Sequence, residues 1–318
     1  SRADGSAGWT AFIGNGSAFV AWLEPEVAKE IVSVRPDFIQ AGVFAPTATA
    51  TPDGDGGLVI DGRWAFNSGC MHADWFINGV IVMDGNAPRM RAPGIPDWRF
   101  AFLPPESVEI IDTWRVSGLR GTGSHDSAAH GVVVPEERTI APFFSAARFD
   151  GALYRLPFTT FLSPLLAGFV LGVARRALDE LTVLAAKKSR VVPPGPTMAE
   201  DDAFQIELSR LEAAVRSARA YVVESLGSTW ATVSDGDDVT LEQRAEVLLA
   251  VLHAARVART SVDQAFALAG GGALYDSNPM QRCARDIAAG TQHIFFNLSR
   301  WKTTGRVLLG RDPETFLV

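Results

Sequence analysis

The stretch Asp53-Gly-Asp-Gly-Gly57, followed at once by Leu58-Val-Ile-Asp-Gly-Arg63, decides the fold class of this sequence. Glycine and aspartate cluster at 53–57, and both residue types adopt the tight turn of a β-hairpin at low cost. The apolar and β-branched run that follows has the length of one strand. We therefore predict that a hairpin turns at 53–57 and that the chain continues as a strand.

Further strand-length runs, separated by turn residues, lie on both sides of this hairpin. They are Gly42–Thr51, Trp75–Met83, Arg99–Leu103, Val108–Trp114 and Ala129–Val134. No helical run separates them. Strands that follow one another without helices favour an antiparallel sheet or barrel over a doubly wound α/β fold.

The residues before and after this β-rich region have helical spacing instead. Short helical runs occupy 8–35. The longer ones follow residue 153, carry apolar stripes and predict an antiparallel four-helix bundle: Leu156–Ser189, Ala199–Leu226, Leu241–Gly270 and Gln281–Gly305. The sequence thus predicts an α+β chain of three domains, with N-terminal helices at 1–37, a middle β domain at 38–150 and a C-terminal helical bundle at 151–318.

The composition is typical of a globular protein. Of 318 residues, 47% are hydrophobic and 20% are charged, so a large core can form. The formal charge of −7 argues against a protein that coats nucleic acid. The two cysteines, Cys70 and Cys283, permit at most one disulfide and indicate a reducing compartment.

One uncharged stretch, Leu156 to Ala174, is almost long enough to span a bilayer. It contains Pro157 and Pro164, and Arg175 follows it directly. We predict a buried core helix at this place. The expected protein is therefore cytoplasmic and binds neither a membrane nor nucleic acid.

Several common catalytic motifs are absent from the sequence. No G-x-G-x-x-G motif opens a strand–helix–strand unit, so a Rossmann dinucleotide site is not expected. The H-E-x-x-H and G-x-S-x-G motifs are absent as well. Cys70, His72 and Asp74 alternate and would share one face of a strand, but the sequence suggests no further ligand pair nearby, and we predict no metal site.

Two motifs in the β-rich region resemble the middle domain of the acyl-CoA dehydrogenase superfamily. The first is Gly56–Gly69 with Ala73-Asp-Trp75, and the second is Trp114–Ser124 followed by Val132-Val-Val-Pro135. The resemblance covers essentially the whole chain. It implies N-terminal helices, a middle antiparallel β-barrel and a C-terminal four-helix bundle. Because family members usually have further helices before Ala3-Asp-Gly-Ser6, we expect that part of the N-terminal helical domain is missing here.

The last helical stretch distinguishes two branches of this superfamily. Dehydrogenases commonly carry a glutamate base there, whereas this sequence has no Asp or Glu between Asp286 and Asp312. The motif Gln281-Arg-x-x-Arg-Asp286, with His293 after it, resembles instead the two-component flavin monooxygenases. These enzymes receive reduced flavin from a separate reductase, which need not bind stably.

This resemblance implies a monooxygenase that uses reduced FMN and O2 to form a flavin C4a-hydroperoxide and hydroxylate an aromatic small molecule. FMN is expected because this branch mostly uses it, with FAD as the alternative. Phenol hydroxylases of the branch often carry a second pocket histidine, but Ile13–Phe19 contains small residues and no histidine. A larger polycyclic or polyketide-type aromatic is therefore the expected substrate. The family usually assembles through the C-terminal bundle, so we expect a homotetramer.

The same resemblance assigns catalytic roles to three residues. His293 is the expected general base, because an imidazole with an ordinary pKa of about 6.5 exchanges protons near neutral pH. Ser68 and Asn67 are expected to hydrogen-bond the peroxide. A structural role for Arg282, Arg285 and Asp286, as an ion pair that braces the bundle, is the expectation for the charged motif before His293.

Contacts to the cofactor are also implied by the resemblance. Phe44 and Ala45 lie in a segment that resembles the backbone bordering the isoalloxazine ring. Phe66 is expected to pack on that ring, and Trp114 to flank it. Arg190 resembles an arginine that reaches the flavin phosphate, where a guanidinium forms charge-assisted hydrogen bonds.

The sequence leaves open three alternatives to aromatic hydroxylation. An N- or S-oxygenase would use the same chemistry and differ only in its product. An acyl-CoA dehydrogenase with its base on another helix would let an acyl-CoA reduce the bound flavin. A non-catalytic flavin-binding homologue would give no oxygen-dependent product.

Overall fold

The computed structural model describes residues 1–189 and 194–318 of the chain. Its α-helices are Gly5–Gly14 (α1), Pro25–Val34 (α2), Phe158–Ala185 (α3), Asp202–Ser234 (α4), Leu241–Ala269 (α5), Pro279–Gly290 (α6) and Leu298–Leu308 (α7). Its strands are Gln40–Ala41 (β1), Ala48–Pro52 (β2), Gly57–Asn67 (β3), Trp75–Asp84 (β4), Ala87–Pro88 (β5), Met90–Ala92 (β6), Ile95–Pro96 (β7), Trp98–Leu103 (β8), Glu109–Ile111 (β9), His125–Pro135 (β10) and Thr139–Ile140 (β11). The predicted α+β class is confirmed.

The chain divides into two compact units. The helical unit comprises residues 1–9, 116–119 and 156–318, and the β unit comprises 10–115 and 120–155. The segment 1–37, predicted as a remnant of a separate helical domain, is shared between these two units. The division at residues 37 and 150 stays a prediction.

The β unit is built on one large sheet with the strand order β11-β8-β4-β2-β3-β10-β9. Strands β2 and β3 form the predicted hairpin, and the Asp53 carboxylate accepts hydrogen bonds from the backbone N–H groups of Asp55 and Gly57, both at 2.8 Å. Most neighbouring strands are antiparallel, as predicted. Strands β1 and β2, however, run parallel to β4, so the sheet is mixed.

The strand predicted over Gly42–Thr51 begins only at Ala48. The preceding segment is irregular because it lies against β4 instead of pairing as a strand. Its Val43 N–H donates to the Asn78 side chain at 2.9 Å, and the Gly79 N–H donates to the Val43 carbonyl at 2.7 Å. A Cβ on Gly79 would lie 2.1 Å from the carbonyl oxygen of Phe44, so only glycine permits this approach.

The core of the β unit is a cluster of buried, mostly apolar side chains that includes Trp64. Trp64 is fully buried, and its indole N–H donates to the Gly79 carbonyl at 2.7 Å, which satisfies the one polar group it brings inside. Around it pack buried apolar side chains: Ala41, Ala48, Ala50, Leu58, Ile60, Cys70, Phe76, Val80, Val82, Ala101, Leu103, Ala129 and Val134. Both Cys70 and Cys283 are free thiols.

The helical unit contains three long helices, α3, α4 and α5, which pack on one another. Helix α3 is long and apolar enough, by length and composition alone, to cross a membrane. However, 67% of its most apolar window is buried inside the protein. That degree of burial is typical of a core helix, which is what the sequence predicts at Leu156–Ala174.

The single helix predicted over Gln281–Gly305 is in fact two helices, α6 and α7. Helix α6 ends at Gly290. Asn297 then begins a new helix, because its side chain accepts a hydrogen bond from the Ser299 N–H at 2.9 Å and so caps the N-terminus of α7. His293 consequently lies in a seven-residue connection between two helices.

Candidate active site

A row of three hydroxyl groups in the β unit includes Ser68. Ser68 follows strand β3 and is 4% exposed. Its Oγ lies 2.7 Å from Ser124 Oγ, which in turn lies 2.6 Å from Thr122 Oγ1. Because a hydroxyl both donates and accepts, the hydrogen bonds along this row can run in either direction.

Asn67 lies next to this row but is fully buried within the sheet. Its side-chain amide donates to Ser127 Oγ at 2.7 Å and to Asn78 Oδ1 at 3.3 Å. Its Oδ1 is a buried acceptor without a hydrogen-bond partner in the described part of the chain. Asn67 thus fixes the end of β3 from which Ser68 projects.

An exposed aromatic platform is formed by Phe66 and Trp114. Phe66 has a φ of +67° and 71% exposure, although a left-handed backbone is strained for a large side chain. Its ring meets Trp114 edge to face, with centroids 6.2 Å apart. Strain and an exposed apolar ring in one residue are features that concentrate at ligand sites.

His125 holds this platform in place and was missed by the sequence analysis, which placed no function on it. Its Nδ1 accepts hydrogen bonds from the backbone N–H groups of Thr113 and Trp114, both at 3.2 Å. The signal for it in the sequence is its position directly after Gly118–Ser124. The pairing of β10 with β3 is irregular between His125 and Ser127, which sets this residue apart from the regular ladder.

Phe44 is bound into the β unit by its ring and by its carbonyl group. The ring stacks on Phe100 at 4.5 Å and meets Phe19 edge to face at 5.2 Å. Its carbonyl accepts a hydrogen bond from the indole N–H of Trp98 at 2.9 Å. Ala45 is exposed beside it. Arg190, the predicted phosphate contact, lies outside the described residues.

The helical unit places His293 among aromatic rings. The ring stacks on Phe295 at 5.7 Å and meets Trp9 edge to face at 5.5 Å, while Trp9 meets Phe169 edge to face at 4.9 Å. We refer to Trp9, Phe169, His293 and Phe295 as the aromatic row.

The protonation state of His293 follows from its surroundings. Its Nδ1 accepts a long hydrogen bond of 3.4 Å from the Phe295 N–H, which places the proton of the neutral ring on Nε2. Burial, and then the positive charge of Arg300, lower the pKa of His293 to about 4. The imidazole is therefore neutral at pH 7 and presents an Nε2–H donor.

Asp286, seven residues before His293, ties three segments of the helical unit together. It is 4% exposed, and its Oδ1 accepts the Leu119 N–H at 2.7 Å. Burial raises its pKa, and the Leu119 hydrogen bond offsets only part of that rise. A Cβ on Gly5, the first residue of α1, would lie 2.5 Å from Asp286 Oδ2, so α1 begins directly against this carboxyl group. Arg282 pairs with Asp4 at 3.4 Å.

The residues of the β unit fit a flavin. A flavin needs a flat apolar surface for its ring and hydrogen-bonding groups at its polar edge. The exposed ring of Phe66 provides an apolar face, Trp114 stands at right angles beside it, and Ser68 with its hydroxyl row provides the polar groups. The unpartnered buried oxygen of Asn67, adjacent in sequence, is a further polar atom of the kind that ligand sites leave unsatisfied.

Comparisons with known proteins agree with this chemistry. The family described as acyl-CoA dehydrogenase, C-terminal domain, matches residues 165–298. An indole-3-acetate monooxygenase of Pseudomonas putida is 36% identical over 314 residues, which cover 98% of this chain and 78% of that protein. A pigment production hydroxylase of Rhodococcus erythropolis is 31% identical, covering 97% and 80%. The chain belongs to the flavin-dependent monooxygenases of the acyl-CoA dehydrogenase superfamily. The predicted family is confirmed.

Solved structures of flavin-dependent monooxygenases share the fold. The crystal structure of a 3-HSA hydroxylase from Rhodococcus sp. RHA1 matches with a TM-score of 0.89 at 26% identity, over 100% of this chain and 82% of that one. The dibenzothiophene monooxygenase TdsC from Paenibacillus, solved with FMN and indole, matches with a TM-score of 0.80 at 22% identity, over 100% and 83%. The predicted enzyme class, the oxygenase component of a two-component flavin-dependent monooxygenase, is likewise confirmed.

Proposed function

We propose that this monooxygenase hydroxylates a fused-ring aromatic compound of the indole type, with reduced FMN supplied by a separate flavin reductase. The observation that carries the proposal is the neutral His293, which lies within the aromatic row with its Nε2–H directed away from the bonded Nδ1. Apolar rings bind an aromatic substrate, and one neutral donor orients it. Two relatives named indole-3-acetate monooxygenase, at 36% and 32% identity, support an indole ring.

The flavin and the side chains contribute different parts of the reaction. Reduced flavin supplies the activation of O2 when it is bound. Ser68 would hydrogen-bond the flavin, and the hydroxyl row behind it would let that bond run in either direction. Phe66 and Trp114 would pack on the flavin and exclude water.

His293 holds or moves the substrate proton. Through Nε2–H it donates a hydrogen bond to a substrate heteroatom. As a general base, the role predicted from the sequence, it would take a proton at Nδ1 by giving up the weak 3.4 Å bond from Phe295. Its low pKa favours the donor role at neutral pH, because a strongly depressed pKa makes an imidazole a poor proton acceptor.

Two further properties belong to the proposal. A homotetramer assembled through the helical unit is supported by Val223 and Trp230, which stand one heptad apart on α4 and are 53% and 49% exposed. A cytoplasmic location is supported by the two buried free thiols. Sedimentation velocity on the wild-type chain and on Trp230→Glu tests the assembly: a tetramer is expected for the first and smaller species for the second.

The function is tested with 18O2. The full chain is mixed anaerobically with reduced FMN and indole-3-acetate, 18O2 is added, and the product is analysed by mass spectrometry. We expect one 18O atom in a hydroxylated ring, and a roughly 2- to 12-fold lower yield rate for His293→Ala, the usual size of the loss of one neutral hydrogen bond to the substrate. His130→Ala, at an exposed histidine of the β unit, is the matched control and keeps full activity.

The outcomes separate the candidate functions. Oxygen on nitrogen or sulfur across a panel of amines and thioethers, with none on aromatic rings, would replace hydroxylation by N- or S-oxygenation. Reduction of bound flavin by an acyl-CoA would favour a dehydrogenase. No oxygen transfer to any compound, with reduced flavin consumed, would overturn the proposal.

A further inference from the structure

Arg300, in the first turn of α7, is a buried cation that pairs with no Asp or Glu side chain in the described part of the chain. Arg300 is only 7% exposed. Its Nη1 donates to the Leu317 carbonyl at 2.6 Å, and its guanidinium lies 5.3 Å from the centre of the Phe295 ring. Among residues 1–189 and 194–318, Glu314 pairs with the neighbouring cations of this helix, and Arg300 forms no ion pair with an Asp or Glu side chain.

The other cations of α7 show that this is particular to Arg300. Lys302 and Arg306 both pair with Glu314, at 2.7 and 3.0 Å, and Lys302 is mostly exposed. Within residues 1–189 and 194–318, the most buried cation of the helix thus has no acidic side chain paired with it. A guanidinium does not lose its proton at any ordinary pH, so the uncompensated charge persists and is costly when buried.

The position of Arg300 relates this charge to the aromatic row. Phe295 lies between the two in sequence and contacts both, stacking on His293 at 5.7 Å and lying under the Arg300 guanidinium. The charge of Arg300 also reaches the imidazole, whose pKa it lowers. A planar ring beside the aromatic row would therefore carry its substituents within reach of a fork of N–H donors.

We propose that Arg300 binds the carboxylate of the substrate, and that the substrates of this enzyme are aromatic monocarboxylates. Planar guanidinium and carboxylate groups form paired, charge-assisted hydrogen bonds, which ordinary neutral substituents cannot replace. The carboxylate supplies the missing counter-charge and fixes the ring in one orientation. This inference rests on the proposed function, because it names the substrate class of the same site.

The test compares two ligands that share one ring. Indole-3-acetate and indole-3-acetamide have the same ring and nearly the same shape, but the amide is neutral and has an NH2 donor in place of one carboxylate oxygen. Their dissociation constants are measured by calorimetry on the full, flavin-loaded chain, for wild type, Arg300→Gln, Arg300→Lys and the control Lys302→Gln. Lys302→Gln removes an exposed charge from the same helix.

We expect the wild type to bind the acetate roughly 10- to 150-fold more tightly than the amide, the range for hydrogen bonds to charged groups. Arg300→Gln should lose most of this preference and keep its affinity for the amide. Arg300→Lys should keep part of it, and Lys302→Gln all of it. The comparison of the two ligands on the wild type needs no variant, so it tests the proposal even if Arg300→Gln fails to fold.

Equal affinities for acetate and amide in the wild type would overturn the inference. An unchanged preference in Arg300→Gln would also overturn it. If that variant kept the preference but lost its oligomers, Arg300 would instead pair with an acidic residue of a second copy of the chain. Failure of the proposed function has a different signature. A carboxylate preference that depends on Arg300, without any 18O in the products, would refute the hydroxylation and leave the binding role of Arg300 standing.

Discussion

Replacing Gly290 by alanine should disturb the aromatic row from the protein interior. Gly290 is the last residue of α6, and a Cβ there would lie 2.2 Å from Cε1 and 2.5 Å from Cζ of Phe169. The Phe169 ring is 1% exposed and cannot turn towards solvent. Because Trp9 contacts both Phe169 and His293, a displaced Phe169 ring changes the place where the substrate ring is proposed to bind.

The magnitude follows from two opposing effects of the added methyl group. Overpacking a filled core costs about 1–3 kcal/mol. Alanine gains up to about 1 kcal/mol over glycine in a helix, although less at a helix end. The net loss in the free energy of unfolding should therefore be about 1–2 kcal/mol, and the affinity for indole-3-acetate should fall with it.

Urea unfolding followed by far-ultraviolet circular dichroism measures this loss. The matched control is Gly227→Ala on α4, where an added Cβ meets nothing within 4 Å and stability should rise by up to about 1 kcal/mol. The double variant Gly290→Ala with Phe169→Leu should recover part of the lost stability, because the smaller leucine side chain leaves room for the added methyl group. A Gly290→Ala protein as stable as the wild type would refute the packing argument.

Three further predictions concern charges and the hydroxyl row. The folded-state pKa of His293, about 4, lies below its ordinary 6.5, so the unfolded chain binds a proton that the folded chain does not. The free energy of unfolding, measured in urea, should therefore fall by about 2–3 kcal/mol as the pH drops from 6.5 to 4. In His293→Asn this pH dependence should be much weaker. Ser68→Ala should raise the hydrogen peroxide released per flavin oxidised, measured by a peroxide assay, whereas the exposed Ser217→Ala should not. Burial opposes the ionisation of Asp97, but hydrogen bonds from three arginines outweigh it and lower its pKa. Asp97→Asn should therefore lower the free energy of unfolding by about 2–4 kcal/mol in urea at pH 7. The difference should shrink as the pH falls below the ordinary aspartate pKa of 3.8, because the wild type then loses the stability that its ionised carboxylate contributes.

Local patterns predicted most of the elements because the interactions that form them are local. The hairpin at 53–57 depends on the Asp53 side chain and on glycines within the same five residues. Helices α3 to α5 follow the apolar period of their own sequence. The break at 291–297 could not be found this way, because Ala288–Thr291 is compatible with a helix. The helix ends where Gly290 meets Phe169, a contact between residues 121 positions apart that no local pattern contains.

In the candidate site, too, local patterns predicted the residues but not the contacts between distant parts of the chain. The family motifs single out Ser68 and Trp114 as residues, but they carry no information on what each side chain contacts. The bond from Ser68 to Ser124 joins residues 56 positions apart and exists because β3 pairs with β10. His125 and Arg300 were missed for a related reason, because the role of each depends on distant contacts. His125 accepts a hydrogen bond from the Trp114 backbone, whereas Arg300 pairs with no acidic side chain among the described residues.

Arg300 and His293 are coupled, and the coupling has a direction. Burial is the larger cause of the low pKa of His293, and the charge of Arg300 is the second. A carboxylate bound to Arg300 cancels the second cause, so the pKa of the imidazole rises when an anionic substrate arrives and stays low when a neutral one does. By linkage, protonation of His293 must strengthen the binding of the carboxylate by the same factor. Arg300 therefore does more than orient its ligand: the imidazole becomes a better proton acceptor only when the substrate carries the charge that completes the site.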